Sequence, residues 1–278
     1  MRKLNNFIFF LIFIFVTNLF SQDNGDTIDW VTGKIYSSIS VKVKNDYNVV
    51  HNRTKETNNA REKAKLNYYS ILKNINIYES ISVLEFIEKD GIRNRDLFTL
   101  IDNAKLKKIE YPDLNTIKVT YFIDIYGANS LMSILMNEKD FYTEDLKSYM
   151  DFNYETNYTG VIIDARGELL SFDGHKVKIK PSIFVTIKDS EGKIVFNQFN
   201  VLPNVMKERG MVRFSYDITE NLEERVGKLP LKTIAFGTGD KSGSVIVVSK
   251  ENAKKMLSSE ITRDAIKNGK IAIIIDKK

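Results

Sequence analysis

The chain has 278 residues, of which 43% are hydrophobic and 28% charged, with a formal net charge of +5. This composition is typical of a globular protein that can bury one large or two modest cores without covalent staples. The absence of cysteine excludes disulfides, thiol nucleophiles, cysteine metal sites and the lipid-modified cysteine of a bacterial lipoprotein.

Residues 1–21 have the pattern of a secretory signal peptide. A short basic segment precedes an apolar run over residues 7–16, and Ser21 provides a small residue for the cleavage site. A membrane-spanning helix needs about 20 apolar residues, and this run is shorter. We expect cleavage near Ser21 and export to the periplasm or the outer membrane. An uncleaved anchor is the alternative, because the residues before Ser21 fit the small-residue rule poorly.

Charge is spread along the chain. Removal of the basic start leaves 39 basic and 36 acidic residues, which is a net charge of +3. Lysines and acids alternate, whereas a nucleic-acid-binding surface needs a basic stripe interleaved with aromatic residues. We therefore predict a solvated surface and no nucleic-acid partner.

Residues 22–140 are predicted to form a first α+β domain. Alternation over residues 31–43 indicates a half-buried strand that begins at Trp30, a packing anchor. A polar loop to about Thr54 leads into a helix from Glu56, whose apolar residues recur at steps of three or four. Its core face carries Ala60, Ala64, Tyr68, Ile71 and Ile75.

The remainder of this domain is predicted to consist of short helices and strands. Helices are predicted around residues 82–89 and 95–104, followed by two strands joined by a Pro-Asp turn at 112–113. A short helix is predicted within 128–136. Residues 137–156 show no periodicity, and we place the domain boundary there.

Residues 155–278 are predicted to form a second α+β domain. A glycine-closed loop at 189–192 joins two strands into a hairpin, and Ser249 begins a helix that Gly269 ends. Further strands are predicted at 211–216, 231–237, 244–249 and 270–276. The fold class is α+β, with two sheet-plus-helix modules and mainly antiparallel strands.

The stretch YTGVIIDARGE, residues 158–168, places an acid and a base at the end of an apolar strand. Asp164 and Arg166 are two residues apart, so they share a strand face and can pair with each other or across the sheet. Gly167 supplies the turn. Because no second convergent group can be nominated, we interpret this as a structural corner, with a ligand clamp as the alternative. Trp30, Asp164, Arg166 and Gly167 are the candidate structural or contact residues.

The enzyme motifs are incomplete. Ser70 to Lys73 fits S-x-x-K, and Lys241 to Gly243 fits the K-[ST]-G of penicillin-binding enzymes, but the third element of that set is missing. Ser70 is also predicted to lie in the middle of a helix. The loop GTGDKSGS fits neither a Walker loop nor a dinucleotide loop, and a hairpin explains it better.

The two histidines, His51 and His175, are predicted in exposed loops without the ligand spacing of a metal site. We predict no catalytic residues, no cofactor, no metal and no enzymatic activity.

Several stretches resemble known families. WVTGKI, NAREKAKLNYYSILKNI and IKVTYFIDIYG resemble the LPP-twenty type of outer-envelope lipoprotein and the N-terminal domain of flagellar assembly protein T. YTGVIIDARG, KPSIFVTIKDSEGKIVF and SVIVVSKENAKKM resemble longer exported bacterial envelope proteins in which a second half follows that domain. Two features depart from the resemblance: the lipidation cysteine is missing, and residues 168–178 are longer and more polar than expected.

The resemblance implies an exported protein that works by contact with envelope or flagellar proteins, and it supplies no catalytic residues. We expect a non-enzymatic interaction or structural protein of the periplasm or envelope, including a flagellar or outer-membrane assembly. Membrane association would come through partners or an uncleaved signal. The alternatives are a surface-exposed binding module or antigen and, third, a cell-wall enzyme.

Overall fold

The computed structural model describes residues 27–44, 49–136, 142–149 and 156–277. The predicted signal peptide lies outside these ranges, and so does much of the predicted boundary segment. The fold is α+β, as predicted, and antiparallel strand pairs outnumber parallel ones. No helix in the described ranges is long and apolar enough to cross a membrane.

The first module is a four-stranded antiparallel sheet with one long helix across a face. Its elements are β1 (Thr27–Asp29), β2 (Lys34–Lys42), α1 (Val49–Leu72), β3 (Asn76–Tyr78), β4 (Ile81–Ser82), α2 (Val83–Glu88), α3 (Gly91–Asp102), β5 (Lys105–Asp113), β6 (Thr116–Asp124) and α4 (Leu131–Leu135). The sheet order is β1-β2-β6-β5.

Sequence periodicity explains this module. Strands β2 and β6 pair along their whole length, from Lys34 opposite Asp124 to Lys42 opposite Thr116. Their alternating apolar residues turn inward against the predicted core face of α1, which is buried. The short helices begin at side-chain caps: Ser82 forms a capping box for α2, and the Asp90 carboxylate accepts two amides of α3.

Several predicted boundaries in this module were wrong. The strand predicted to begin at Trp30 begins at Lys34, because residues 30–33 form the turn between β1 and β2. Helix α1 begins at Val49, so the predicted loop to Thr54 is helical and His51 lies on the helix. The first turns of α1 are polar yet tethered, because the Arg53 guanidinium donates to the Leu114 carbonyl at 3.1 Å.

The predicted Pro-Asp turn lies inside β5, an edge strand, where proline is tolerated. The chain turns instead at Leu114 and Asn115. There the Asp113 carboxylate accepts the Asn115 amide and the Thr116 hydroxyl, each at 2.8 Å.

The second module contains two further four-stranded sheets. Its elements are β7 (Val161–Asp164), β8 (Glu168–Leu170), β9 (Lys176–Lys178), β10 (Thr186–Asp189), β11 (Ile194–Phe196), α5 (Pro203–Arg209), β12 (Arg213–Ser215), α6 (Glu223–Val226), β13 (Leu231–Ile234), β14 (Gly237–Thr238), β15 (Val245–Val248), α7 (Lys250–Ser258), α8 (Glu260–Lys267) and β16 (Ile271–Ile274). The sheet orders are β12-β16-β7-β13 and β11-β10-β15-β14.

All the strands predicted in this half are present, and the hairpin of β10 and β11 is antiparallel. The sheet β12-β16-β7-β13 is parallel throughout, which the sequence analysis did not anticipate. Strand β16 is buried at every position, as parallel strands covered on both faces are. The single helix predicted after Ser249 is two helices, because the Ser259 side chain caps α8 by accepting the Thr262 amide. The polar segment 168–178 forms the small hairpin of β8 and β9.

The two modules are joined by backbone hydrogen bonds and a shared core. The amides of Ile183 and Phe184 donate to the carbonyls of Asn76 and Ile77 at 3.0 and 2.7 Å. The Gly127 amide donates to the Lys207 carbonyl at 2.8 Å. Because one buried apolar cluster contains residues of both modules, the sheets pack as parts of one body.

Candidate functional site

The corner after β7, at residues 164–167, is stabilised by an ion pair between two of its own side chains. The Arg166 guanidinium donates to both carboxylate oxygens of Asp164, from Nε at 2.9 Å and from Nη2 at 2.7 Å. This bidentate contact is the main reason that the pKa of Asp164 lies below its ordinary value. The pairing matches the sequence analysis, and it leaves neither group poised for proton transfer.

Gly167 turns the chain with φ +83°, a conformation that favours glycine. Its amide donates to Oδ2 of Asp276 at 3.0 Å, and the Lys178 ammonium lies 3.5 Å from the same oxygen. Asp276 follows β16, whose end is adjacent to that of β7 in the parallel sheet. Asp276 could not be predicted as a neighbour of Gly167, since only the folded sheet brings the two together.

This corner lies where ligands often bind in parallel sheets, beyond the carboxyl ends of the strands. Asp164 is held by Arg166, and the described residues hold no group of His, Cys, Asp and Glu that could bind a metal ion. The geometry therefore supports a contact surface and assigns no reaction.

Beside the corner, one face of the parallel sheet is only partly covered. Helix α6 packs there through Leu222 and Val226, next to Ile162 and Ala272. The remainder of the face opens into a cavity of about 560 Å³. Its lining is both apolar and charged, and includes Ile162, Ile218, Ile234 and Ile274 with Asp164, Glu220, Glu223, Lys228 and Lys232. We call this surface the open sheet face.

Trp30 lies at the junction of the modules, in the turn between β1 and β2, and 7% of its surface is exposed. Its ring meets Phe214 edge to face, with centroids 5.6 Å apart. The burial and the ring contact belong to a packing anchor.

Tyr126 also lies at the junction, between two glycines with positive φ. A Cβ atom on Gly33 would lie 2.7 Å from the Tyr126 ring, and one on Gly210 would lie 2.6 Å from it. Burial raises the pKa of Tyr126 to about 12. The sequence analysis did not identify this residue, because its two glycine neighbours come from different modules.

The motifs set aside in the sequence analysis do not converge. Ser70 is an exposed residue within α1, and His51 and His175 are both exposed. The loop GTGDKSGS joins β14 to β15 as an antiparallel hairpin, as predicted.

Asp240 organises this loop. Its Oδ1 atom accepts the amides of Ser244 and Val245 at 3.0 Å each. Burial acts to raise the pKa of Asp240, but hydrogen bonds from Ser242, Val245 and Ser244 outweigh it and lower the pKa below its ordinary value. Because a carboxylate already accepts the loop amides, the loop is a turn centred on Asp240 and not a phosphate cradle.

Residues 160–277 match the family model described as the second domain of Treponema pallidum Tp0624. The match covers the second module, including the corner, the open sheet face and the loop at Asp240. No curated protein matches the chain.

Proposed function

We propose that this chain is a non-enzymatic, exported protein of the periplasm or envelope that acts by binding another envelope protein. Its exported location rests on the signal-like pattern of residues 1–21. The resemblance of the first half to envelope and flagellar domains supports a partner from such an assembly. The observation that carries the proposal is the open sheet face, whose apolar residues meet solvent at the edge strand β13.

Strand β13 has the features of a strand-addition site. No other described strand pairs with its outer edge. The amides of Leu231 and Ala235 donate inward to β7, so the main-chain groups of Lys232 and Ile234 point outward. Among the described residues, the one hydrogen bond to these outward groups is from the Thr233 hydroxyl to the Ile234 carbonyl, at 3.3 Å.

The side chains along this edge define the partner. Ile234, the last residue of β13, is 73% exposed. Phe236 lies two residues further on and is 65% exposed, and its amide donates to the Val247 carbonyl of β15 at 2.7 Å. The exposed Lys228 and Lys232 form no ion pair with another described residue. Because Asp164, Glu220 and Glu223 line the same cavity as these lysines, the charges do not select an acidic or a basic partner. The occupant is an extended segment of a partner protein, with apolar residues that contact Ile234 and Phe236.

Site-specific photo-crosslinking in living cells tests this proposal. A photoreactive residue at Phe236 is expected to yield a discrete adduct with one envelope protein. The matched control is Leu66 on α1, which is 66% exposed and lies on the other module.

Equal adducts at both positions, or none at Phe236, would contradict the proposal. Protease treatment of whole cells addresses the alternative of a surface antigen, because only a surface protein would be cut. A cell-wall enzyme would instead be labelled at Ser70 by a β-lactam.

A further inference from the structure

One end of the first module lies opposite its junction with the second. Strand β2 ends there at Lys42, which faces the first residue of β6, Thr116. Helix α1 begins at the same end, and its 24 residues carry the chain about 36 Å back. Soon after α1, the Asn76 carbonyl accepts the Ile183 amide of the second module at 3.0 Å. We call the residues at the opposite end, 42–44, 50–53 and 111–116, the distal tip.

The distal tip carries an exposed apolar patch. Val50 is 81% exposed and Leu114 is 78% exposed, more than any other large hydrophobic residue of the described ranges, and Tyr111 is 60% exposed. All three surround Arg53. Its guanidinium donates to the Leu114 carbonyl at 3.1 Å and lies 6.0 Å from the centroid of the Tyr111 ring. Val50 precedes Arg53 by three positions on α1, so the two share one side of the helix.

The shape of the distal tip favours a flat interface. Leu114 lies in the turn between β5 and β6, and Val50 lies in the first turn of α1. Because both side chains project from the ends of elements, they would enter a partner and not receive one. The interfacial region of a bilayer accepts apolar and tyrosine side chains without a shaped pocket.

The charges of the distal tip favour anionic headgroups. Its bases are Lys42, Lys44 and Arg53 and its acid is Asp113, a balance of 3 less 1, or +2. Asp46, which lies outside the described residues, would reduce the balance to +1. The Asp113 carboxylate accepts two hydrogen bonds within its own turn and lies 3.6 Å from the Lys42 ammonium. Lys44 and Arg53 form no ion pair with another described residue, so the uncompensated charge is positive.

We propose that the distal tip binds the surface of a lipid bilayer that contains anionic headgroups. Val50, Tyr111 and Leu114 enter the interface, and Lys44 and Arg53 face the headgroup phosphates. This contact needs neither the apolar run of residues 7–16 nor a protein partner. It also leaves the open sheet face, on the other module, available for the protein partner proposed above.

Co-sedimentation with vesicles tests this proposal. The chain used is residues 22–278, which contains every described residue and leaves out the apolar run of residues 7–16. Vesicles of phosphatidylcholine mixed with phosphatidylglycerol are compared with vesicles of phosphatidylcholine alone. Tighter binding to the mixed vesicles, weakened by added salt, is expected. Absence of binding to both, or equal binding to both, would overturn the proposal.

Two matched variants locate the contact. Leu114→Ser is expected to weaken binding to the mixed vesicles by about fivefold or more, because it removes apolar surface from the interface. Ile234→Ser is the control, since Ile234 is also highly exposed but lies on the open sheet face, and it is expected to leave the affinity unchanged. Equal losses, or a loss for Ile234→Ser alone, would refute the assignment.

Further variants on other elements keep the test independent of the turn at Leu114. Val50→Ser, on α1, is expected to weaken binding in the same way as Leu114→Ser. Lys44→Gln is expected to weaken binding to the mixed vesicles by about fivefold. Unchanged affinity in Val50→Ser and Lys44→Gln would contradict a contact made by the distal tip as a whole.

Discussion

The two modules each expose one face of a sheet, and the two faces differ in how their apolar side chains meet water. On the first sheet, the Lys34 ammonium lies 4.4 Å from the centroid of Phe122, and the Lys107 ammonium lies 3.8 Å from that of Tyr36. Lysines therefore cover the aromatic rings there. On the parallel sheet, the open sheet face presents Ile234 to solvent without such a cover.

This difference distinguishes a sheet face that is stable in water from one that gains free energy when a partner covers it. Lysines that lie over aromatic rings keep a sheet face compatible with water without another protein. Exposed isoleucine gains about 25 cal/mol for each Å² of apolar surface that a partner removes from water. The first sheet face is therefore expected to tolerate substitution, whereas substitution on the second is expected to affect binding more than stability.

The largest effect is expected at the junction that holds the two sheets together. Gly210→Ala adds a methyl group against the Tyr126 ring at φ 75° and ψ 164°, a backbone conformation that essentially only glycine adopts, and we expect the free energy of unfolding to fall by about 3 kcal/mol. Urea unfolding measures the loss. Gly174→Ala is the control, because that glycine has a similar φ with open space around it, and we expect about 1 kcal/mol. Equal losses would show that Tyr126 is not a tight junction contact.

A smaller effect is expected at the corner beside the open sheet face. Asp164→Asn removes one charge of the bidentate pair, and we expect a loss of about 1 kcal/mol near neutral pH. The folded-state pKa of Asp164 is lowered, so its contribution is present above the unfolded pKa and is lost as the pH falls through the folded value.

Urea unfolding of the wild type and of Asp164→Asn should therefore differ near neutral pH and converge in strong acid. Asp173→Asn, at an exposed residue 3.8 Å from the Lys241 ammonium, is expected to show no such difference. A gap for Asp164→Asn that widens as the pH falls would contradict this account of the corner.

A still smaller effect is expected on the first sheet face. Lys107→Ala removes the cation above Tyr36 at an exposed site, and we expect about 0.5 kcal/mol of lost stability and no change in partner binding. Thermal unfolding and the crosslinking yield measure the two quantities. A loss of partner binding would show that the first sheet face takes part in the interface, which contradicts the proposal.

Local patterns made much of the fold predictable. Strands β2 and β6 followed from alternation because one of their faces is wet, and the Asp164–Arg166 pair followed from a spacing of two residues. The parallel pairing of β16 was not predictable in the same way, since a strand buried at every position carries no alternation.

Contacts between segments that are far apart in the chain could not be predicted from the sequence. Asp276 reaches Gly167 across 109 positions of the chain. Tyr126 lies against Gly33 of the first module and Gly210 of the second. Trp30 was identified because a lone tryptophan is a strong packing signal by itself.

The most direct test of the central claim compares two substitutions of exposed apolar residues. Ile234→Asp on the open sheet face and Leu66→Asp on α1 are introduced separately, and the partner crosslinked through Phe236 is quantified for each. We predict that Ile234→Asp lowers the yield by about tenfold or more, while Leu66→Asp retains it. The free energy of unfolding of Ile234→Asp is expected to fall by about 1 kcal/mol, because the new carboxylate lies beside Asp164 on β7. Retention of the partner by Ile234→Asp, or its equal loss in both variants, would contradict the account.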